Sequence, residues 1–237
     1  MYKKKKIAVV IPCYKVSKKI NKVINLLPSY LDRIYVVDDK CPENSVKKIT
    51  SKSKKIKKIY RNKNGGVGAA VKDGYKNSMK DFNHITVRLD GDGQMDPRLI
   101  KKFIIPIIEK KADFTKGNRL SRKFINSKMP LARNFGNLFF SLFGRISTKN
   151  FHIFDFLNGY TAISYSALKK LRNDFKYLDN DYFFETSTIY YLTKKNLTIK
   201  DISMDPIYSD EQSNINVFLT TIKFIFKNFK LILKNFT

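Results

Sequence analysis

Three short runs constrain this chain more than any other feature: IAVVIP at 7–12, RIYVVDD at 33–39 and HITVRLD at 84–90. The first two are largely apolar and rich in β-branched residues, with little polar alternation, while the third sets Ile85, Val87 and Leu89 between polar residues as a strand does. Side chains on a strand point to alternate faces, so an unbroken apolar run has to be covered on both. That is the condition of a strand inside a parallel sheet, whose neighbours are joined by crossover elements. The segments in between supply them. Apolar residues at 20, 23, 24 and 27 give helical spacing over 17–31, with Ser17 as N-cap. A weak helix is read over 45–53, a glycine turn feeding a helix over 64–79, and a helix over 97–111 opened by Pro97. Segments 55–62 and 112–119 read as further strands. The pattern predicts an α/β fold with a Rossmann-like, mostly parallel central sheet flanked by helices. Beyond it lie an apolar stretch over 131–146, a turn, strand and helix over 154–171, a helix over 181–195 and a strand over 197–208.

In sheets of this kind ligands bind where the strands end. Pro12 and Tyr14, Asp38 and Asp39, and Asp90 and Asp92 all fall at such ends, which places them on one edge of the sheet. The stretch VRLDGDGQMDP gathers three acids in a chain of formal net charge +27. An Asp-x-Asp pair offers hard oxygen ligands to Mg²⁺ or Mn²⁺ and leaves part of the ion's shell for substrate phosphates. Asp96, just before Pro97, reads instead as the cap of the next helix. An EF-hand is excluded because Pro97 breaks the loop. The GGVG of 65–68 could hold a phosphate on backbone amides or let a helix pack close to the sheet. It is neither a P-loop, lacking Gly-Lys-Ser/Thr, nor a dinucleotide fingerprint, which belongs after the first strand.

Charge alone identifies no partner, since the lysines are spread along the chain as an Asn- and Lys-rich composition would spread them. Cys13 and Cys41 form neither a metal-spaced pair nor a disulfide framework, which points to a reducing compartment. His84 and His152 read as structural. The basic start MYKKKKIAVVIPCY has too short an apolar run for a signal peptide, and no stretch reaches the roughly 18 apolar residues of a membrane span. Over 215–236, Lys223, Lys227, Lys230 and Lys234 share one helical stripe. Ile222, Ile225, Phe226, Phe229, Ile232, Leu233 and Phe236 fill much of the rest. Such a helix either lies in a membrane interface or packs its apolar face on the domain with the lysines in water.

The order IPCY, VVDD, NGGVGAA, DGDGQMDP and GNR, followed by FDFLNGYTAIS, YFFET and DPIYSDEQSNI, resembles family 2 glycosyltransferases of the GT-A fold. Within these it is most similar to the dolichol- or polyprenyl-phosphate mannose synthase type, over about residues 7–215. The resemblance implies an inverting, metal-dependent enzyme acting on a nucleotide-sugar. It puts Pro12, Tyr14, Val37 and Asp39 at the nucleotide, with Gly68, Asp90, Gly91, Asp92, Gln94 and Arg119 completing the nucleotide-sugar site. Asp92 and Asp90 are the metal-contacting acids, and Arg133 meets an acceptor phosphate. Asp155, Asp181 and Glu185 are the candidate bases; a hydroxyl acceptor needs one, whereas a phosphate acceptor does not. The chain departs from the pattern at Val16, where a Glu is usual, and in its closing loop, which lacks the Gly-x-Ser-Lys form. No Q-x-x-R-W motif of polymer synthases is present.

The expected organisation is a GT-A domain over 1–214 and a basic amphipathic helix over 215–237. The expected function is transfer of a sugar to a polyprenyl phosphate or lipid-linked glycan in cell-surface glycan synthesis. The expected place is the cytoplasmic, inner face of the cell membrane, held peripherally, with no nucleic-acid partner. Rival readings are a transferase for a soluble or polysaccharide hydroxyl, a basic nucleic-acid-binding protein and an inactive membrane tether.

Overall fold

The structure is a computed structural model. It describes residues 1–120, 131–205, 207 and 217–236, with the side chains of 131–135, 137 and 217–219 outside that description. One seven-stranded sheet organises it. The strands are β1 (Ile7–Cys13), β2 (Arg33–Asp38), β3 (Ile56–Tyr60), β4 (Ile85–Arg88), β5 (Phe114–Asn118), β6 (Thr161–Ser164) and β7 (Ile199–Ser203). Their order is β3-β2-β1-β4-β6-β5-β7. β6 runs antiparallel to both its neighbours, β4 and β5, while the remaining pairings are parallel. The C-terminal ends of β1, β2, β4 and β5 therefore share one edge. The chain entering β6, from Asp155 to Gly159, meets that edge from the other direction.

The doubly covered strands behave as their runs require. On β1, Ile7, Val9, Ile11 and Cys13 join one apolar cluster, and Ala8 and Val10 join the cluster on the other face. Helices α1 (Ile20–Asn25) and α3 (Ile100–Ile108) cover the first face. Helices α2 (Val67–Lys80), α5 (Tyr165–Leu171) and α6 (Phe184–Lys194) cover the second. Gly74 lets α2 lie close to β1, because a Cβ there would meet the Val10 side chain.

Two expected helices differ. The helix read over 17–31 is confined to α1, and the chain leaves it before Pro28, whose ring disfavours helical backbone in the residue before it. The segment 45–53 forms turns in place of a helix. There the Asn21 side chain donates to the Lys48 carbonyl at 2.9 Å and accepts from the Thr50 amide at 3.0 Å, taking over backbone partners that a helix would use.

Helices α4 (Leu131–Thr148) and α7 (Val217–Leu233) pack side by side, α4 also lies on α6, and Phe224 and Leu231 of α7 share an apolar cluster with Tyr190 of α6. The Phe140 and Phe224 rings lie 4.7 Å apart, and Ser147 donates to Asn228 at 2.6 Å. Lys227 pairs with Asp179. The face of α7 turned inward is Phe224, Asn228 and Leu231. The apolar stripe read from the sequence points outward, with Ile222, Phe226, Phe229, Leu233 and Phe236 exposed. An apolar face packed on the domain with the lysines opposite is thus not what α7 forms. Among the described residues no helix is long and apolar enough to cross a membrane.

Overpacking at the α2–β1 contact should be costly. Gly74→Ala is expected to lower stability by about 1–3 kcal/mol in chemical denaturation; a wild-type midpoint would show that the contact has room.

Candidate active site

A cleft of about 1040 Å³ opens along the shared strand edge. Pro12, Tyr14, Asp39, Asp90, Gly91, Asp92, Gln94, Arg119, Asp181 and Glu185 all line it. Val37 does not, being fully buried in the core. Gly68 does not line it either, since its amide donates to the Asn180 carbonyl at 2.7 Å and a Cβ there would strike Phe184. Asp155 lies fully buried behind the cleft wall. Arg133 falls in α4, its side chain outside the described residues, as is most of the 205–214 loop.

At the β2 end, Asp39 is 3% exposed. Its Oδ1 accepts from the Gly65 amide at 3.0 Å and from Arg61, and its Oδ2 accepts from the Gly66 amide at 2.8 Å. The glycine turn therefore gives its first amides to a protein carboxylate. Gly66 takes φ +89°, a left-handed conformation that suits glycine, and a Cβ there would also strike Asn180 and Asp181.

At the β4 end, Asp90 and Asp92 lie close enough to influence each other. Burial, and next the charge of Asp90, hold the Asp92 carboxyl above the usual carboxylate range. Asp92 Oδ1 accepts from the Gln94 amide at 2.9 Å, closing a tight turn that Gly93 permits at φ +80°. Two crowded carboxylates facing a cleft fit a divalent cation. No group of three or more ligating side chains occurs among the described residues, so such an ion would keep much of its shell for phosphate oxygens and water. Asp96 caps the following turn by accepting from the Arg98 amide at 2.9 Å, as its place before Pro97 predicts.

Two buried ion pairs stand beneath the rest of the cleft. Asp155 takes Arg119 in a fork, with Nε to Oδ2 at 2.7 Å and Nη2 to Oδ1 at 3.1 Å, and also accepts the Arg119 amide at 3.1 Å. Burial opposes ionisation of Asp155, but the Arg119 charge and hydrogen bonds override it and hold the carboxyl low. Glu185 on α6 pairs with Arg88 on β4, and both are buried. Asp181, at the cleft mouth, makes no side-chain hydrogen bond or ion pair among the described residues. Phe140, Leu157 and Phe224 form an apolar wall of the cleft, and Thr220 lines it too. Thr220 and Phe224 come from α7, so that helix contributes directly to the cleft. Sequence reasoning missed Arg88, Arg61 and this wall. Arg88 takes a polar position in the alternating HITVRLD as an ordinary strand residue would, and its carboxylate partner lies 97 residues away.

Fold and cleft together define a sugar transferase of the GT-A type. The model of "Glycosyl transferase family 2" matches residues 8–172, more than half of the chain, and the chain belongs to that family. It is a glycosyltransferase. It is 31% identical over 224 residues to a UDP-N-acetylglucosamine–dolichyl-phosphate N-acetylglucosaminyltransferase from Methanococcus voltae, covering 87% of each chain. It is 29% identical over 229 residues to an uncharacterized protein, MJ1222, of Methanocaldococcus jannaschii, covering 94% of this chain and 91% of that one. A crystal structure of glucosyl-3-phosphoglycerate synthase from Mycobacterium tuberculosis with Mn²⁺, uridine diphosphate and glucosyl-3-phosphoglycerate has the same fold. Its TM-score is 0.71 at 13% identity, covering 98% of this chain and 80% of that one. The same enzyme with Mg²⁺ and uridine diphosphate gives a TM-score of 0.67 at 13% identity, covering 98% and 79%.

Beneath the cleft, burial pushes the Asp201 carboxyl up to about 7, with Lys116 and Asp155 nearby. The native chain then keeps a proton at Asp201 that the unfolded chain releases above about pH 4. Stability from this group is therefore full below that pH and declines as pH rises toward 7. Asp201→Asn should flatten the decline when unfolding is followed from pH 4 to 7; an unchanged slope would contradict the assignment.

Proposed function

We propose that this glycosyltransferase moves a sugar, with inversion, from a nucleotide-sugar to a polyprenyl phosphate at a membrane surface. The observation that carries the proposal is the state of the acceptor-side carboxylates. Asp155 is locked to Arg119 and Glu185 to Arg88. A hydroxyl acceptor needs a general base within hydrogen-bonding reach, whereas a phosphate arrives already ionised. Asp181 remains as the one candidate base outside an ion pair among the described residues, and it stands at the mouth beside Gly66. The apolar wall of Phe140, Leu157 and Phe224 suits a lipid chain leaving the cleft. The Methanococcus voltae relative, whose name specifies a dolichyl-phosphate acceptor, supports the same reading.

In this proposal Tyr14 and Asp39 flank the base, and Asp90 and Asp92 hold Mg²⁺ or Mn²⁺ against the diphosphate. The ion, when bound, neutralises charge developing on the leaving nucleoside diphosphate. Arg119, fixed in orientation by Asp155, adds a cation to the same edge, and the α-helical wall excludes water from the sugar. Arg133 meets the acceptor phosphate. A bilayer covers the outer faces of α4 and α7, where Leu138, Phe139, Leu142 and Ile146 adjoin the exposed stripe of α7. Lys223, Lys230 and Lys234 flank that stripe, which favours anionic lipid. The cytoplasmic face of the membrane is the corresponding location.

Two measurements test this. Asp92→Asn should weaken Mn²⁺-dependent nucleotide binding, read by thermal shift, by more than about tenfold; equal binding would remove the metal seat. Phe226→Asp with Phe229→Asp should lower binding to phosphatidylglycerol vesicles by about tenfold while nucleotide binding persists. Equal sedimentation with vesicles would remove the membrane face.

A further inference from the structure

Among the described residues Arg88 is the arginine buried inside the sheet, 2% exposed, and its positive charge faces carboxylates on two sides. One nitrogen, Nη1, donates to Glu185 at the start of α6. The other, Nη2, donates to Asp90 Oδ1 at 3.3 Å. Phe184 stacks near the guanidinium, 5.6 Å from ring centre to carbon. Gly159 leaves the space, since a Cβ there would lie 2.7 Å from Nη2 and 3.1 Å from Asp90 Oδ2. In the proposed reading Asp90 belongs to the donor edge and Glu185, on α6, to the acceptor helix, and the two meet through one planar group.

We infer that Arg88 is a positioning residue that couples the metal seat to the acceptor helix, an inference that rests on the proposed metal-dependent reading of Asp90 and Asp92. Its Nη2 contact fixes which carboxylate oxygen of Asp90 remains for the cation. Asp90 Oδ1 is turned to Arg88, and Oδ2 is the oxygen nearer the Gly159 backbone. Glu185 orients the guanidinium by neutralising it, so Glu185 acts on the donor side without touching it. Outer groups of this kind set metal affinity by orienting the ligand, and their loss costs roughly 10–100-fold. Lysine cannot reproduce the role, because one ammonium nitrogen lacks the two separate terminal nitrogens by which the rigid guanidinium meets Glu185 and Asp90 at once.

The test is a Mn²⁺ titration of nucleotide binding on the full chain, with UDP and GDP run in parallel as probes. Arg88→Lys should raise the Mn²⁺ concentration at half-saturation by about tenfold, with nucleotide binding at saturating Mn²⁺ close to wild type. Glu185→Gln, which contacts Asp90 only through Arg88, should move the Mn²⁺ midpoint in the same direction. A merely structural role would lower the melting temperature and leave that midpoint in place. Should Arg88→Lys fail to fold, the pair Arg88→Met with Glu185→Leu removes both charges at similar volume and leaves neither unpaired; it should show the same shift. Variants with an unmoved midpoint beside a normal wild-type titration would overturn the Arg88 role alone. A wild type with no Mn²⁺-dependent binding of either nucleotide would overturn the metal seat and the Arg88 role together.

Discussion

A charge removed from water must find its opposite, and that requirement shapes the floor of this cleft. Arg88, Lys116 and Asp155 are essentially buried, and Glu185 nearly so. Leaving any of these charges alone in such a place would cost several kcal/mol. Arg88 with Glu185, and Arg119 with Asp155, meet the requirement by pairing across elements that are distant in sequence. Lys116 donates to the Asn158 carbonyl, and burial pushes its ammonium down to about 8. The pairs tie β4 to α6 and the end of β5 to the segment before β6. They also withdraw two of three candidate bases from chemistry, which is why the acceptor is best read as a group that brings its own charge.

The sheet was legible in the sequence because its signal is physical and local. IAVVIP and RIYVVDD can be covered on both faces only inside a parallel sheet, and β1 divides its side chains between two cores accordingly. The strand-end acids were legible for the same reason, since the edge on which they meet follows from the alternation of strand and helix. Where local pattern failed, a distant partner had intervened. Asn21 replaced the backbone bonds of a helix over 45–53. The Arg88 of VRLD gave no hint of Glu185. Gly68 was read with the nucleotide site, yet its amide already serves Asn180.

The last helix shows what a wheel diagram can and cannot reveal. Its lysine stripe and apolar stripe are real features of the sequence, but which stripe meets the domain depends on neighbours. Phe224, Asn228 and Leu231 turn inward because Phe140, Phe183 and Ser147 offer ring contacts and a hydrogen bond there. The larger apolar stripe is left facing out, next to that of α4. Exposed apolar surface of this extent calls for a partner in a chain so basic. The helix lines the cleft with Thr220 and Phe224, and in the proposed reading its outer face is the one that would meet the surface carrying a lipid acceptor.

The central claim is that the acceptor supplies its own negative charge. It is tested most directly by offering one nucleotide-sugar donor to a short polyprenyl phosphate and to the matching polyprenol, with Mn²⁺ at neutral pH, and measuring labelled lipid product. The account predicts transfer to the phosphate and none to the alcohol. Transfer to the alcohol at a comparable rate would contradict it, because a general base would then have to act although Asp155 and Glu185 are held in ion pairs, leaving Asp181 at the mouth to serve.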